Sequence, residues 1–264
     1  MRIAIVQTQP APGGYPDNLA AMARAGAHAA EMGAALVLFP ELADFGYDLA
    51  AAASCARDLW PRTAEALGRL AYTHRLIVVC GVALPTAHGL TNALAVWDKG
   101  GALRGSFAKM HLFRTPKVDE TAVFLPGSTP VAIQAGDIRL GLAVCFDLRF
   151  PELFRIYRDA GCHGALVAAA WPRKRRHIWQ ALLLARAAEN GMAILGANHT
   201  GDAPFPLAGF SAAVSVNAEL EALGEAPDIL VAQVSPATAH LDPTPCRRKD
   251  LYGAPPSLCH VLEL

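Results

Sequence analysis

The chain has 264 residues, 53% of them hydrophobic, and its 23 Lys and Arg residues balance 23 Asp and Glu residues. A chain of this length and apolar content can bury a large core, so we expect one globular domain spanning residues 1–264. The formal net charge of zero provides no overall field that would attract nucleic acid or an anionic membrane. Binding partners must therefore be recognised locally.

The amino-terminal sequence and the cysteines suggest a cellular location. The opening stretch MRIAIVQTQPAPGGY has one charge and a short apolar run that ends at prolines and glycines, unlike a signal peptide or a membrane span. The six cysteines, at positions 55, 80, 145, 162, 246 and 259, include no CxxC pair, which disfavours a zinc ribbon or a disulfide framework. We expect a cytoplasmic protein in which most cysteines are small buried residues.

The first half of the chain alternates apolar strands with helical patterns. Residues 17–33 predict a helix that Asp17 caps and that ends before Gly33, and a second helix is expected after Pro61. The apolar runs predict strands at 2–7, 35–41, 76–84, 91–98 and 102–109, the last two forming a hairpin.

The second half continues the same alternation. Helices are predicted at 150–161 and 177–190, and the segment after the last strand is expected to be irregular. Strands are predicted at 138–146, 164–170 and 191–198, and near 209–217 and 229–234. Strands that alternate with helices predict an α/β fold in which helices cover a largely buried sheet.

Three polar residues come directly after apolar strands. Glu41 closes LVLFPE, Lys109 closes GSFAK and Cys145 interrupts LAVCFD. The ends of such strands meet at the ligand-binding edge of an open α/β sheet. Taken singly, a cysteine at this position is most often an inert core residue, and a charged residue there is usually solvated.

Together, however, these residues provide the groups that an acyl transfer needs. Cys145 can act as a nucleophile once its thiol loses a proton, and Glu41 can take that proton and later return it to a leaving amine. Lys109 and the backbone N–H of Phe146 can stabilise the negative oxygen of a tetrahedral intermediate. The expected product of the first step is a thioester, which water then cleaves.

The motifs LVLFPE, FAKMHLF and LAVCFDLRFPE, in this order, resemble those of the carbon–nitrogen hydrolases of the nitrilase superfamily. The resemblance extends from IAIVQTQP to RRKDLYG. It implies a four-layer αββα sandwich with no metal or other cofactor. It also implies Glu41 as the base, Lys109 as the oxyanion partner and Cys145 as the nucleophile. A second site glutamate is implied before a Pro-Gly turn, and the stretch ETAVFLPG makes Glu120 the candidate.

The residues around the nucleophile suggest a branch of this superfamily. The stretch CFDLRFPE is similar to amidases of the omega-amidase and deaminated-glutathione amidase type. The stretch WPRKRRHIWQALLLARAAEN is similar to the omega-amidase group, apart from one inserted position between His177 and Trp179. The implied substrate is therefore a small amide that carries a carboxylate, and the implied assembly is a homodimer or a larger homo-oligomer.

A carboxylated substrate requires a cation in the pocket. We expect Arg175 to bind the carboxylate, since it lies four residues after Trp171, where the resemblance places an arginine. The adjacent residues Arg173, Lys174 and Arg176 are further candidates. Arg149 is expected instead to form an ion pair with Glu152 or another acid. The aromatic residues Phe113, Phe146, Trp171 and Trp179 are candidates for the pocket wall, although core packing explains each nearly as well.

Three alternatives remain open at this level. The first is another reaction on the same residues, as in a deaminated-glutathione amidase, a nitrilase or an aliphatic amidase. The second is a non-catalytic binding protein on this fold, which the presence of Glu41, Lys109 and Cys145 disfavours. The third is a zinc or redox role for the cysteines, which the lack of a Cys or His at ligand spacing beside Cys145 disfavours.

Overall fold

The computed structural model describes residues 1–236 and 259–264. Within these ranges the helices are α1 (Tyr15–Glu31), α2 (Leu49–His74), α3 (Pro151–Asp159) and α4 (Arg176–Asn190). The strands are β1 (Arg2–Gln7), β2 (Leu36–Leu38), β3 (Ile77–Pro85), β4 (Leu90–Trp97), β5 (Leu103–Ala108), β6 (Val131–Ala135), β7 (Ile138–Val144), β8 (Gly164–Ala169), β9 (Ala193–Asn198), β10 (Thr200–Gly201), β11 (Leu207–Ala208), β12 (Ala212–Val214), β13 (Leu220–Ala222), β14 (Asp228–Gln233) and β15 (His260–Glu263).

Two large sheets organise these strands. The first has the order β14-β1-β2-β3-β4-β5 and the second β13-β12-β9-β8-β7-β6-β15. Strands β1, β2 and β3 are parallel, as are β7, β8 and β9, whereas β4, β5, β12 and β14 join antiparallel. The parallel strands place the residues that follow them at one edge of each sheet.

The side chains of the central strands point alternately into two cores. In β1, Ile3 and Ile5 join the core between the sheets, whereas Ala4 and Val6 face the core under α1 and α2. Direct contacts of β1 with β9, and of β4 with β7, show that the sheets pack face to face, while α4 packs on β9 of the second sheet. The layers therefore follow the predicted order helix, sheet, sheet, helix.

The helix boundaries differ from the prediction at two places. Helix α1 begins at Tyr15, two residues before Asp17, because Pro16 is suited to the first turn of a helix and Asp17 then lies inside that turn. Helix α2 begins at Leu49, far before Pro61, which lies inside it. The Asp48 side chain caps α2 by accepting from the Ala51 N–H at 3.0 Å.

The carboxyl-terminal prediction of an irregular segment is wrong for residues 260–263. These residues form β15, which pairs in parallel with β6 at the edge of the second sheet. Strand β6 was itself not predicted. The tail motif RRKDLYG and Cys246 lie outside the described residues. Among the helices of the described ranges, none combines the length and apolar character that crossing a bilayer requires.

Candidate active site

The three residues that the sequence selects meet where the two sheets face each other. Glu41 follows β2, Lys109 follows β5 and Cys145 follows β7. The Lys109 Nζ donates to Glu41 Oε1 at 2.6 Å, and both side chains are fully buried. The Cys145 thiol interacts electrostatically with Glu41 and Lys109, and Cys145 is 9% exposed. Residues 36 to 104 positions apart along the chain therefore form one cluster.

Glu120 completes this cluster as the second glutamate. Its Oε1 accepts from Lys109 Nζ at 2.7 Å and from the Tyr47 hydroxyl at 2.6 Å. Its Oε2 accepts from the backbone N–H of Phe113 at 2.7 Å. Glu120 is completely buried, unlike the solvated residue that its acidic surroundings in the sequence suggest. Three donors therefore hold this carboxylate in one position.

The Glu41 carboxylate is held by three donors as well. Besides Lys109, the Asn92 Nδ2 donates to Oε1 at 2.8 Å and the Ala170 N–H donates to Oε2 at 2.9 Å. The neighbouring backbone of Gly81 lies so close that a Cβ there would stand 2.2 Å from the Pro40 carbonyl oxygen. The hydrogen bonds hold the Glu41 side chain, and the close packing of Gly81 holds its backbone.

Burial and charge set the protonation states of this cluster. Burial opposes the charged form of Lys109, but Glu41 and Glu120 together outweigh it and raise the pKa of the ammonium. Burial also raises the pKa of Glu41, opposed by Lys109 and assisted by Glu120. The pKa of the Cys145 thiol is raised well above its ordinary value by burial and by the negative charge of Glu41. The resting Cys145 is thus a thiol, which would need a base before it could act as a nucleophile.

The backbone at Cys145 has a conformation that side chains rarely adopt. Cys145 has φ 46°, in the left-handed region, and begins a short 3-10 helix, Cys145–Arg149. The N–H of Phe146 lies at the start of this helix, where no intrahelical acceptor exists. Asp147 secures the turn, since its Oδ2 accepts from Val144 N at 3.1 Å and its Oδ1 from His111 N at 2.9 Å.

Aromatic rings lie together at Phe146, the residue that follows Cys145. The ring of Phe146 lies 5.2 Å from that of Phe113 and 5.5 Å from that of Phe150, both edge-on. Trp171 is 3% exposed, and its Nε1 donates to the backbone carbonyl of Arg175 at 2.9 Å. The predicted wall residues Phe113 and Phe146 are therefore adjacent, and Trp171 is linked to the loop that carries Arg175.

The basic run after β8 is divided between ion pairs and free side chains. Arg173 pairs with Asp202 at 2.9 Å, and Arg176 pairs with Glu225 at 3.4 Å. Arg175 has an exposed side chain for which no ion pair is found within the described ranges. Two of the four candidate cations are therefore already neutralised by acidic partners.

Arg149 does not form the expected ion pair with Glu152. Its guanidinium instead lies over two rings, with its Cζ 5.6 Å from the centre of Phe146 and 5.5 Å from that of Trp171. Considering residues 1–236 and 259–264 alone, no acid pairs with this half-buried cation. The placement puts a free positive charge beside the residues that flank the nucleophile.

Two supporting residues of the site were missed from the sequence. Asn92 is a polar residue in the middle of the apolar strand β4, and this contrast is a signal that a buried partner exists. Tyr47 gives no comparable signal, because its loop contains several residues that favour turns. Only the fold shows that its hydroxyl reaches Glu120.

Comparison with known proteins identifies the class. Residues 2–241 match the family model described as carbon-nitrogen hydrolase. The chain belongs to the carbon–nitrogen hydrolase family. The family that the three motifs indicate is therefore confirmed.

Individual relatives include several amidases. The chain is 31% identical to a 2-oxoglutaramate amidase of Bacillus subtilis over 64% of this chain and 65% of that protein. It is 34% identical to the omega-amidase YafV of Escherichia coli K12 over 63% of this chain and 62% of that protein. The matches thus span slightly less than two thirds of these two relatives.

Solved structures agree with these relatives. A glutamate-to-glutamine variant of an amidase from Nesterenkonia sp. AN1, with acrylamide added to its active-site cysteine, is 29% identical with a TM-score of 0.87, covering 96% of this chain and 98% of that chain. A variant of the same amidase in complex with butyramide has a TM-score of 0.84 at 30% identity, covering 96% and 95%. These findings confirm the prediction of an amidase of this family.

Replacement of Cys145, the predicted nucleophile, should abolish turnover. Cys145→Ala removes the sulfur that is expected to form the thioester, so no ammonia release above background is expected from a protein with an unchanged circular dichroism spectrum. Cys55→Ala, at an exposed cysteine, is the matched control and should keep full activity. Ammonia release by folded Cys145→Ala protein at the rate of the control would contradict the assignment.

Replacement of Glu41, the predicted base, should affect kcat rather than KM. Glu41→Gln keeps the shape but removes the proton acceptor, and kcat should fall on the order of 100- to 10,000-fold with little change in KM. In the unaltered enzyme the pKa of Glu41 is raised by burial, so activity should decline with acidification at a pH above the ordinary glutamate range. Near-normal kcat with a changed KM would show that Glu41 only binds substrate.

Proposed function

We propose that this protein hydrolyses the amide group of a small carboxylated monoamide, releasing ammonia through a thioester on Cys145. The buried Lys109, held between two glutamates beside a strained cysteine, is the observation that carries the proposal. A lysine held by two buried carboxylates stays an ammonium, and it therefore supplies positive charge without supplying protons. Proton transfer then falls to Glu41.

The first half of the reaction forms the thioester. Glu41 takes the proton of the Cys145 thiol as the sulfur bonds to the amide carbon and the carbonyl oxygen becomes negative. Lys109 Nζ and the N–H of Phe146 stabilise that oxygen. The carbon–nitrogen bond then breaks, the nitrogen takes the proton from Glu41, and ammonia leaves.

The second half returns the enzyme to its starting state. Glu41, again a carboxylate, takes a proton from water while the water oxygen attacks the thioester carbon. The same two donors stabilise the second oxyanion. The carbon–sulfur bond then breaks, the thiolate regains its proton from Glu41, and the carboxylic acid product is released.

The positive charge of Arg149 supports a carboxylate on the far end of the substrate. This arginine faces aromatic rings and has no acid partner in the described structure, so it is available for a ligand anion. Its guanidinium can donate two parallel N–H hydrogen bonds to the two oxygens of a carboxylate. Arg175 stays a second candidate, because it caps α4 with an exposed side chain and its backbone carbonyl accepts from Trp171. The relatives named for omega-amides and 2-oxoglutaramate agree with such a substrate.

A neutral aliphatic amide is the alternative substrate class. The structurally similar Nesterenkonia amidase has been observed with butyramide, which carries no carboxylate. Ammonia release from succinamate, 2-oxoglutaramate, deaminated glutathione, butyramide and a simple nitrile separates the classes. The proposal predicts the highest kcat/KM for a carboxylated amide, and equal or better use of butyramide would reject it.

The two arginines should differ in their response to substrate charge. A hydrogen bond to a charged group contributes about 1.5 to 3 kcal/mol, so loss of the carboxylate-binding arginine should lower kcat/KM for succinamate about 10- to 150-fold. Butyramide is the matched control, since a methyl group stands where succinamate has its carboxylate. We expect Arg149→Ala to show this selective loss and Arg175→Ala to show a smaller one.

Other outcomes would change the assignment. A selective loss of kcat/KM for succinamate in Arg175→Ala alone would identify Arg175 as the residue that binds the carboxylate, as the sequence predicts. Equal losses on both substrates would show that the arginine supports the pocket wall. If neither single variant nor the double variant shows a selective loss, the proposal of a carboxylated substrate is wrong.

We also propose that the protein is at least a homodimer that pairs through its outer helices. On α4, Leu182 and Leu184 stay only partly buried against the core, and α3 lies directly beside α4. Light scattering at micromolar concentration should give twice the 27.9 kDa mass of the chain or more. A monomeric mass would contradict this proposal.

The state of the cysteines supports action in the cytoplasm. The five cysteines of the described ranges are free thiols, and a thiol nucleophile must stay reduced to work. A reducing compartment meets this need.

A further inference from the structure

His199 lies fully buried at the catalytic edge without being one of the reacting groups. It directly follows β9 in the second sheet, and its backbone is fixed by an N–H donated to the Ala169 carbonyl at 3.3 Å. Its side chain reaches across to the first sheet. There, Nε2 lies 2.8 Å from the backbone carbonyl oxygen of Glu41, and Nδ1 lies 2.8 Å from the Thr8 hydroxyl.

The two partners determine which ring nitrogen carries the proton. The Glu41 carbonyl can only accept, so Nε2 must be the protonated nitrogen and must donate. Burial lowers the pKa of His199 to about 4, so the ring is neutral near pH 7 and Nδ1 has no proton. Nδ1 therefore accepts from the Thr8 hydroxyl, and a single tautomer satisfies both contacts.

The contact matters because it fixes the main chain of the base. Glu41 lies just beyond the short β2 and is followed by Leu42 with φ 45°, so its backbone leaves the sheet in an uncommon conformation. Asn92 and Lys109 hold the carboxylate end of the residue, whereas His199 holds its peptide group. A shift of about 1 Å in a catalytic group can reduce rate about 100-fold.

We infer that His199 is a positioning residue which, with Thr8, orients the general base Glu41 by anchoring its backbone from the opposite sheet. It transfers no proton to substrate and contacts no reacting atom. The inference rests on the proposed role of Glu41 as the base. It adds the end of β9 to the strand ends that build the site and gives a specific purpose to the packing of β1 against β9.

Three variants separate positioning from simple structural support. The shorter side chain of His199→Asn can still bond to the Thr8 hydroxyl but cannot reach the Glu41 carbonyl. The longer side chain of His199→Gln places an N–H near the position of the former Nε2. Thr8→Val keeps the shape of Thr8 and removes its hydroxyl donor. His88→Asn, at an exposed histidine, is the matched control.

We expect His199→Asn to lower kcat about 10- to 100-fold with KM changed less than about twofold, as for a displaced catalytic group. His199→Gln should recover most of this loss, and Thr8→Val should lower kcat by roughly 2- to 10-fold, the effect of one neutral hydrogen bond.

Several results would overturn the inference. A kcat of His199→Asn within twofold of the unaltered enzyme would do so, and so would equal losses in the Asn and Gln variants. If His199→Asn does not fold, an unchanged kcat in Thr8→Val rejects the inference instead. Glu41→Gln is run alongside, because full activity in that variant would reject the base itself rather than its anchor.

Discussion

The site depends on one lysine that is buried between two carboxylates. Removing charged groups from water costs several kcal/mol for each ion, and the cost is offset only when each charge meets well-placed partners. Lys109 meets both glutamates, and each glutamate accepts two more hydrogen bonds from fixed donors. The surrounding loops must therefore hold their donors in place before any substrate arrives.

This arrangement makes the fold and the chemistry inseparable. The donors come from the ends of β5 and β8, from the middle of β4 and from the loop after β2, so they reach the cluster only if both sheets pack correctly. The sheet-to-sheet core supplies that packing with interleaved aliphatic side chains such as Ile5, Leu38 and Leu142. A protein misfolded in either half would lose the reactive cluster.

Much of this could be predicted from local patterns, and the rest depended on contacts between distant residues. Apolar runs located most of the central strands, and Glu41, Lys109 and Cys145 were visible because each follows one of them. The start of α2 was missed, since packing of its apolar face tolerates Pro61 inside the helix. Asn92 and His199 act on Glu41 across 51 and 158 positions of the chain, which no local pattern shows.

Gly81 limits which substitutions this enzyme can accept during evolution. Its missing side chain lets β3 pass within contact of Pro40 and Glu41, where a Cβ would be 2.2 Å from one backbone atom and 2.6 Å from another. Even alanine would push the catalytic segment away from its donors. A residue that takes no part in the reaction is therefore among the least replaceable in the chain. We expect every substitution with a larger side chain at this position to be selected against.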